Sequence, residues 1–142
     1  MTGVALAGDY AALVNGWTDP HYGYANSTVV LFDLRTGAVV PDRGGETVGA
    51  ADFELSSLDQ LVLGPDGATA AHTSLTNCVS TSACTTTEQI VANDNAGTRT
   101  LDTATTTAPY QRGTASLTGL TLTGDILTWD HNGSRTTAQL HG

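Results

Sequence analysis

Cys78 and Cys84 are the residues of this chain whose type and spacing speak most directly of chemistry. They enclose five residues in a Ser/Thr-rich stretch. A redox Cys-x-x-Cys needs two intervening residues, so that chemistry is excluded by spacing. A metal site needs more ligands than His72 can add, because no further His or Cys pair stands nearby at metal-binding intervals. Two readings remain. One is a disulfide stapling a loop, which stabilises by roughly 2 kcal/mol on the chain-entropy model and implies an oxidising compartment, hence export. The other is a pair of free thiols.

The second group with chemical potential is Asp19-Pro20-His21-Tyr22-Gly23-Tyr24. Asp19, His21, Tyr22 and Tyr24 form the candidate ligand-binding set, since His and Tyr offer flat amphipathic surface suited to a sugar or a peptide. The competing reading is a self-packed loop whose aromatics shield neighbouring strands. Asp9, Asp66 and Asp125 recur at near-equal intervals, each beside a glycine or Gly-Pro pair. They read as turn residues bonding their local backbone rather than as a carboxylate ring. Asn93-Asp94-Asn95 looks like a piece of a calcium loop without its later bidentate acid. His72 reads as a structural strand histidine, and His131 and His141 as solvated. Asn26-Ser27-Thr28 and Asn132-Gly133-Ser134 match the glycosylation pattern, which carries no weight without a eukaryotic source. No Gly-x-Ser-x-Gly, His-Glu-x-x-His or phosphate-cradling glycine loop is present, so the expectation is a protein that is not an enzyme, with no cofactor and no metal.

These groups sit among strands. The chain repeats one pattern three times: Val4-Ala5-Leu6-Ala7-Gly8-Asp9, Leu61-Val62-Leu63-Gly64-Pro65-Asp66 and Leu120-Thr121-Leu122-Thr123-Gly124-Asp125. Repetition on this scale is the mark of arrays and propellers. In the first unit, strands are expected over 3–7, 11–16, 27–34 and 38–40, with a hairpin turn at Arg35-Thr36-Gly37. A connection over 41–58 follows, containing a short extended piece at 53–55. The second unit has strands over 60–64, 68–74, 89–93 and 98–101, with the cysteine loop in the place of the aromatic loop. After a Thr/Pro-rich connector over 103–114, the third unit has strands over 116–122, 126–130 and 134–140 and lacks a fourth. Val29-Val30-Leu31-Phe32, Leu61-Val62-Leu63 and Ile126-Leu127 are apolar on both faces, which predicts sheets covered on both sides.

Composition agrees with an all-β domain. Of 142 residues, 39% are hydrophobic and only 13% charged, about half the usual share. Fourteen acidic residues face five arginines and no lysine, giving a net charge of −9. Such a surface repels phosphate backbones, so nucleic acid is not an expected partner. No apolar stretch reaches the length of a membrane span. No basic leader precedes the first strand, so the expectation is either a cytosolic protein or an exported one whose signal lies outside this chain.

Leu61-Val62-Leu63-Gly64-Pro65-Asp66-Gly67 resembles the Ser-Pro-Asp-Gly turn of TolB-like and WD-repeat β-propeller blades, with Gly64 in place of the serine. Val30-Leu31-Phe32-Asp33-Leu34-Arg35-Thr36-Gly37 resembles the third strand of such a blade and its following turn. Residues 116–140, with Leu127-Thr128-Trp129, are similar to the closing blade of uncharacterised exported propeller proteins of high-GC bacteria. The resemblance implies three consecutive antiparallel blades in one domain over 1–142, with units at about 3–55, 56–108 and 115–141. Because rings usually hold four to eight blades, it implies the C-terminal part of a larger propeller or a ring completed by self-association. The implied function is a non-catalytic exported module binding a protein, peptide or glycan through the loops between second and third strands. The alternatives are an accessory propeller of a larger enzyme and a self-assembling structural unit, a homo-oligomer.

Overall fold

The computed structural model describes residues 3–19, 24–40, 46–48, 54–80, 83–108 and 115–141. They form twelve strands: β1 (Gly3–Ala7), β2 (Tyr10–Asp19), β3 (Tyr24–Asp33), β4 (Ala38–Val39), β5 (Glu46–Val48), β6 (Glu54–Leu63), β7 (Thr69–Ser80), β8 (Ala83–Asp94), β9 (Gly97–Ala108), β10 (Leu117–Thr123), β11 (Ile126–His131) and β12 (Ser134–Gln139). The fold is all-β, as composition implies, and among the described residues no helix is long and apolar enough to cross a membrane. Three antiparallel sheets share one plan. The first runs β1-β2-β3-β4, with β5 also on the far edge of β3; the second runs β6-β7-β8-β9 and the third β10-β11-β12.

Strand order and turns match the sequence reading, whereas strand lengths do not. The connection expected over 41–58 contains β5 and the first half of β6. The connector expected over 103–114 is strand as far as Ala108. The cysteine loop is the end of a long hairpin in which Cys78 and Cys84 are register partners. In the long hairpin and in β9 the misread residues are largely polar, with threonine the commonest among them. Threonine suits a pleated strand and pairs across it, as in the row Thr76, Thr86 and Thr106, without any apolar alternation to announce it.

The sheets stack face on face, with the second in the middle. Alternation splits its residues: Leu61, Leu63 and Ala71 pack toward Ala12, Val14, Val29 and Leu31 of the first sheet. Ala70, Ile90 and Ala92 pack toward Leu117, Leu127 and Trp129 of the third. Leu61-Val62-Leu63 is thus covered on both sides, as its sequence demands. The terminal sheets depart from that expectation. Register places Val4, Leu13 and Val30 in one row and Leu6, Ala11, Phe32 and Val39 in the next, on the outer face of the first sheet. There Leu6 is 72% and Val4 65% exposed. Ile126 likewise faces outward while Leu127 is fully buried.

The three repeated Asp turns join the first and second strands of each sheet. Two of them meet directly. A side chain at Gly8 would lie 2.8 Å from the Pro65 carbonyl oxygen, and one at Gly67 would lie 3.1 Å from the Tyr10 ring. Both glycines hold positive φ, at +55° and +85°. The turn thus needs glycine twice over, for its backbone and for the close approach of its neighbour.

Candidate functional site

With the first-to-second-strand turns gathered at one end, antiparallel geometry sends the second-to-third-strand connections to the other. Asp19 ends β2 and Tyr24 begins β3, paired in register. His21 and Tyr22 lie outside the described residues. At the corresponding end of the second sheet, Cys78 and Cys84 form a disulfide with Cα atoms 4.0 Å apart. The thiol alternative is thereby resolved. The disulfide is compatible with an extracytoplasmic location.

This end projects. The third sheet stops at the level of Glu88, whose carboxylate accepts the N–H groups of Ser116 (2.7 Å) and Leu117 (3.4 Å) where β10 begins. Beyond that level β7, β8 and β9 continue for several residues. Thr76 and Thr86 share a hydrogen bond of 2.9 Å there. The opposite face carries Thr85 beside Thr107 and Thr87 beside Thr105 in register. Val79, at the tip, is 89% exposed. The arm presents hydroxyls and methyls on a disulfide-closed sheet, with few charges. It has the makings of a contact surface rather than a reaction centre.

The buried polar groups lie elsewhere, along the seam between the second and third sheets. Glu88 also meets the His72 ring, Nε2 to Oε1 at 3.0 Å, and Asp59 stands 3.9 Å from the same nitrogen. A register shift between Ile90 and Val91 places both Leu101 and Asp102 toward the third sheet. Asp102 then accepts the Trp129 indole N–H at 2.7 Å and faces His131 Nδ1 at 2.9 Å. Burial pushes the Asp102 carboxyl up, but these partners and the Thr103 N–H outweigh it and hold it below the ordinary carboxylate range. His131 is therefore a bonded, half-buried group and not the solvated turn residue its position suggested.

At the turn end, Arg99 grips Asp94 with two hydrogen bonds of 2.6 and 2.9 Å, while the His141 N–H donates to the same carboxylate at 2.7 Å. Burial raises the Asp94 pKa, and Arg99 with the His141 and Ala96 N–H groups brings it down to about 2. Asn93-Asp94-Asn95 is thus a clasp on the chain leaving β12. Gln60 bridges the same seam. A bulge between Thr118 and Thr121 frees the Leu120 backbone from its ladder; Gln60 donates to the Leu120 carbonyl (2.6 Å) and accepts its N–H (3.2 Å). Among the three Asp turns, Asp66 bonds its own backbone at the Ala68 N–H, 3.1 Å. Asp125 instead accepts from Gln139, and Asp9 faces Arg35 at 3.7 Å.

Sequence reasoning passed over Glu88, Asp102, Arg99 and Gln60. One signal was present: in so weakly charged a chain, an acid inside a strand pattern points to a partner. Which partner is fixed by sheet stacking, far along the chain. Among the described residues no three His, Cys, Asp or Glu side chains are grouped to hold a metal ion. Comparison with protein-family models, with curated proteins and with solved structures finds no match.

Proposed function

We propose that this chain is a non-catalytic, exported module built of three β-propeller-type blades, and that it binds a protein, peptide or glycan at the end carrying the second-to-third-strand connections. The observation that carries this reading is the projecting end of the second sheet. Its long strands continue past the third sheet, are closed by the Cys78–Cys84 disulfide and expose rows of threonine. A stiff sheet with little charge and many hydroxyls loses little conformational entropy on binding a neutral polar ligand. Asp19, His21, Tyr22 and Tyr24 remain the candidate ligand-binding residues of this reading, by their chemistry. The buried acids, by contrast, are each engaged by main-chain N–H groups, an indole, an imidazole or an arginine, which suits them to holding sheets together. The blade reading is supported by the common strand order and the stacking of the three sheets, with their Asp turns at one end.

A glycan and peptide array probed with the intact chain tests the site. The expected result is a bound ligand whose signal falls at least tenfold with Tyr24→Ala or with Thr85→Ala/Thr107→Ala. Binding that neither variant changes places the ligand elsewhere and overturns the assignment.

A further inference from the structure

A sheet edge is a row of unpaired main-chain N–H and C=O groups, a template for another strand, and proteins blunt it with short strands, charges, bulges or proline. Most edges of this fold are blunted in that way. β1 has five residues, β4 two and β5 three. β6 carries Glu54 and Asp59 and a bulge between Leu58 and Gln60, and β10 is bulged between Thr118 and Thr121. On β12, Arg135 supplies a charge and the Arg99 guanidinium takes the Gln139 carbonyl at 3.2 Å. The half of β9 nearest its turn is bulged opposite Ile90 and Val91, and the Asp102 carboxylate accepts the Thr103 N–H there at 2.8 Å. Beyond that point β9 reads Ala104-Thr105-Thr106-Thr107-Ala108, with no charge, glycine, proline or bulge. Among the described residues, this is the one edge left without such a device.

We propose that residues 104–108 of β9 bind an extended, positively charged peptide segment of a partner protein, which adds to the second sheet as a fifth strand. This rests on the binding function proposed for the projecting end and selects the peptide among its ligands. Thr103 shows which groups are on offer. Its N–H is spent on a side chain and so points away from β8, and in an antiparallel ladder alternate residues point the same way. Thr105 and Thr107 therefore turn both N–H and C=O outward. They lie past Ala104, the register partner of Glu88, and hence past the level at which the third sheet stops. Donors and acceptors at strand spacing fit an extended main chain, whereas a sugar ring does not repeat that spacing and a helix has already paired its own groups. The threonines beside them pair well across strands with β-branched residues. The Cys78–Cys84 disulfide ties β7 to β8, so the template is set before a ligand arrives. Charge selects the partner's sign. A net charge of −9 attracts a cationic segment and repels a second copy of this chain.

Three peptides titrated against the intact chain by fluorescence anisotropy test this: alternating valine and threonine between terminal lysines, the same with a central proline, and the same with glutamates at the ends. The expected result is that the lysine-ended peptide binds at least tenfold more tightly than the other two and weakens with salt. It also slows hydrogen exchange at the Thr105 and Thr107 amides at least tenfold. Thr105→Pro removes an N–H that β9 does not use in its own ladder, so circular dichroism stays unchanged while peptide binding falls at least tenfold. Thr105→Val keeps the main-chain edge and changes binding by less than about threefold. Should Thr105→Pro disturb the fold, amide exchange in the unaltered chain decides. Peptide binding that leaves those two amides exchanging freely, or that Thr105→Val abolishes, is a side-chain contact and overturns the inference. A glycan whose binding falls with Thr85→Ala/Thr107→Ala and ignores Thr105→Pro overturns it too, yet preserves the binding function of the arm. If neither peptide nor glycan binds the arm, both readings fail. Self-association relieved by Thr105→Pro makes a second copy the occupant and overturns the peptide.

Discussion

The seam between the first and second sheets is closed by shape, with aliphatic side chains interleaved, Tyr10 lying over Gly67 and Gly8 against Pro65. The seam between the second and third has its own apolar core but adds polar ties that cross it: Glu88 to Ser116 and Leu117, Asp102 to Trp129 and His131, Gln60 to Leu120, Asp94 to His141. The difference follows from what each sheet can bury. The third sheet has three short strands and a small inner face, so it gains much of its registry from directional bonds. Apolar packing tolerates sliding; a carboxylate accepting two consecutive N–H groups does not. The second seam should therefore depend on single polar groups and on pH, and the first on close fit.

The largest expected effect breaks the second seam at its centre. Trp129 is fully enclosed, and Trp129→Ala should destabilise the chain by about 4 kcal/mol in denaturant titration. Native-state hydrogen exchange should show β10–β12 losing protection while β2 and β3 keep theirs. Trp129→Phe removes the indole N–H on Asp102 together with part of a fully enclosed ring, so it should cost about 2 kcal/mol, shared between the lost polar tie and a small cavity. Next comes Glu88→Ala, which leaves two main-chain donors and the His72 ring without their acceptor and should cost about 3 kcal/mol. Glu88→Gln retains an acceptor oxygen and should recover part of it.

How much of this contrast was legible in the sequence can be judged residue by residue. The first seam was largely readable: the Asp turns, the doubly apolar Leu61-Val62-Leu63 and the core of β3 all announce themselves through local pattern. The long hairpin was not, because Thr85-Thr86-Thr87 and Thr105-Thr106-Thr107 have the composition of a linker and become strand through pairing with each other. Nor were the polar ties. Gln60 and Leu120 lie sixty residues apart, and only the stacking of sheets brings the one amide to the one bulge. The outer faces were misjudged for the same reason: apolar content on both sides of β3 says that cover is wanted, not what supplies it.

The first seam has its own weak point in Gly67. A methyl there meets the Tyr10 ring and strains a backbone at φ +85°, so Gly67→Ala should cost about 2 kcal/mol. Its signature is the reverse of the Trp129 variants, with protection lost in β1–β3 and kept in β10–β12. Equal loss across all three sheets would show that the seams open together, and the distinction between them would fall.

The smallest effect is the most selective, since it acts through protons. Asp94 has its pKa lowered to about 2 in the folded chain, against 3.8 for the free group. A carboxyl with a depressed folded pKa stabilises fully above its unfolded value. That stability is lost as pH falls through the folded one, here from about pH 4 to about pH 2, and it amounts to about 2 kcal/mol. Asp102 is lowered too and acts in the same direction. Both belong to the second seam, so acid should release the chain at β12 and His141 before it loosens the packing of β2 and β3 on the second sheet. Asp94→Asn should flatten the stability profile over that window while lowering stability at neutral pH. If the variant keeps the full acid slope, the protons are taken up elsewhere, and the pH sensitivity assigned to the second seam belongs to another carboxylate.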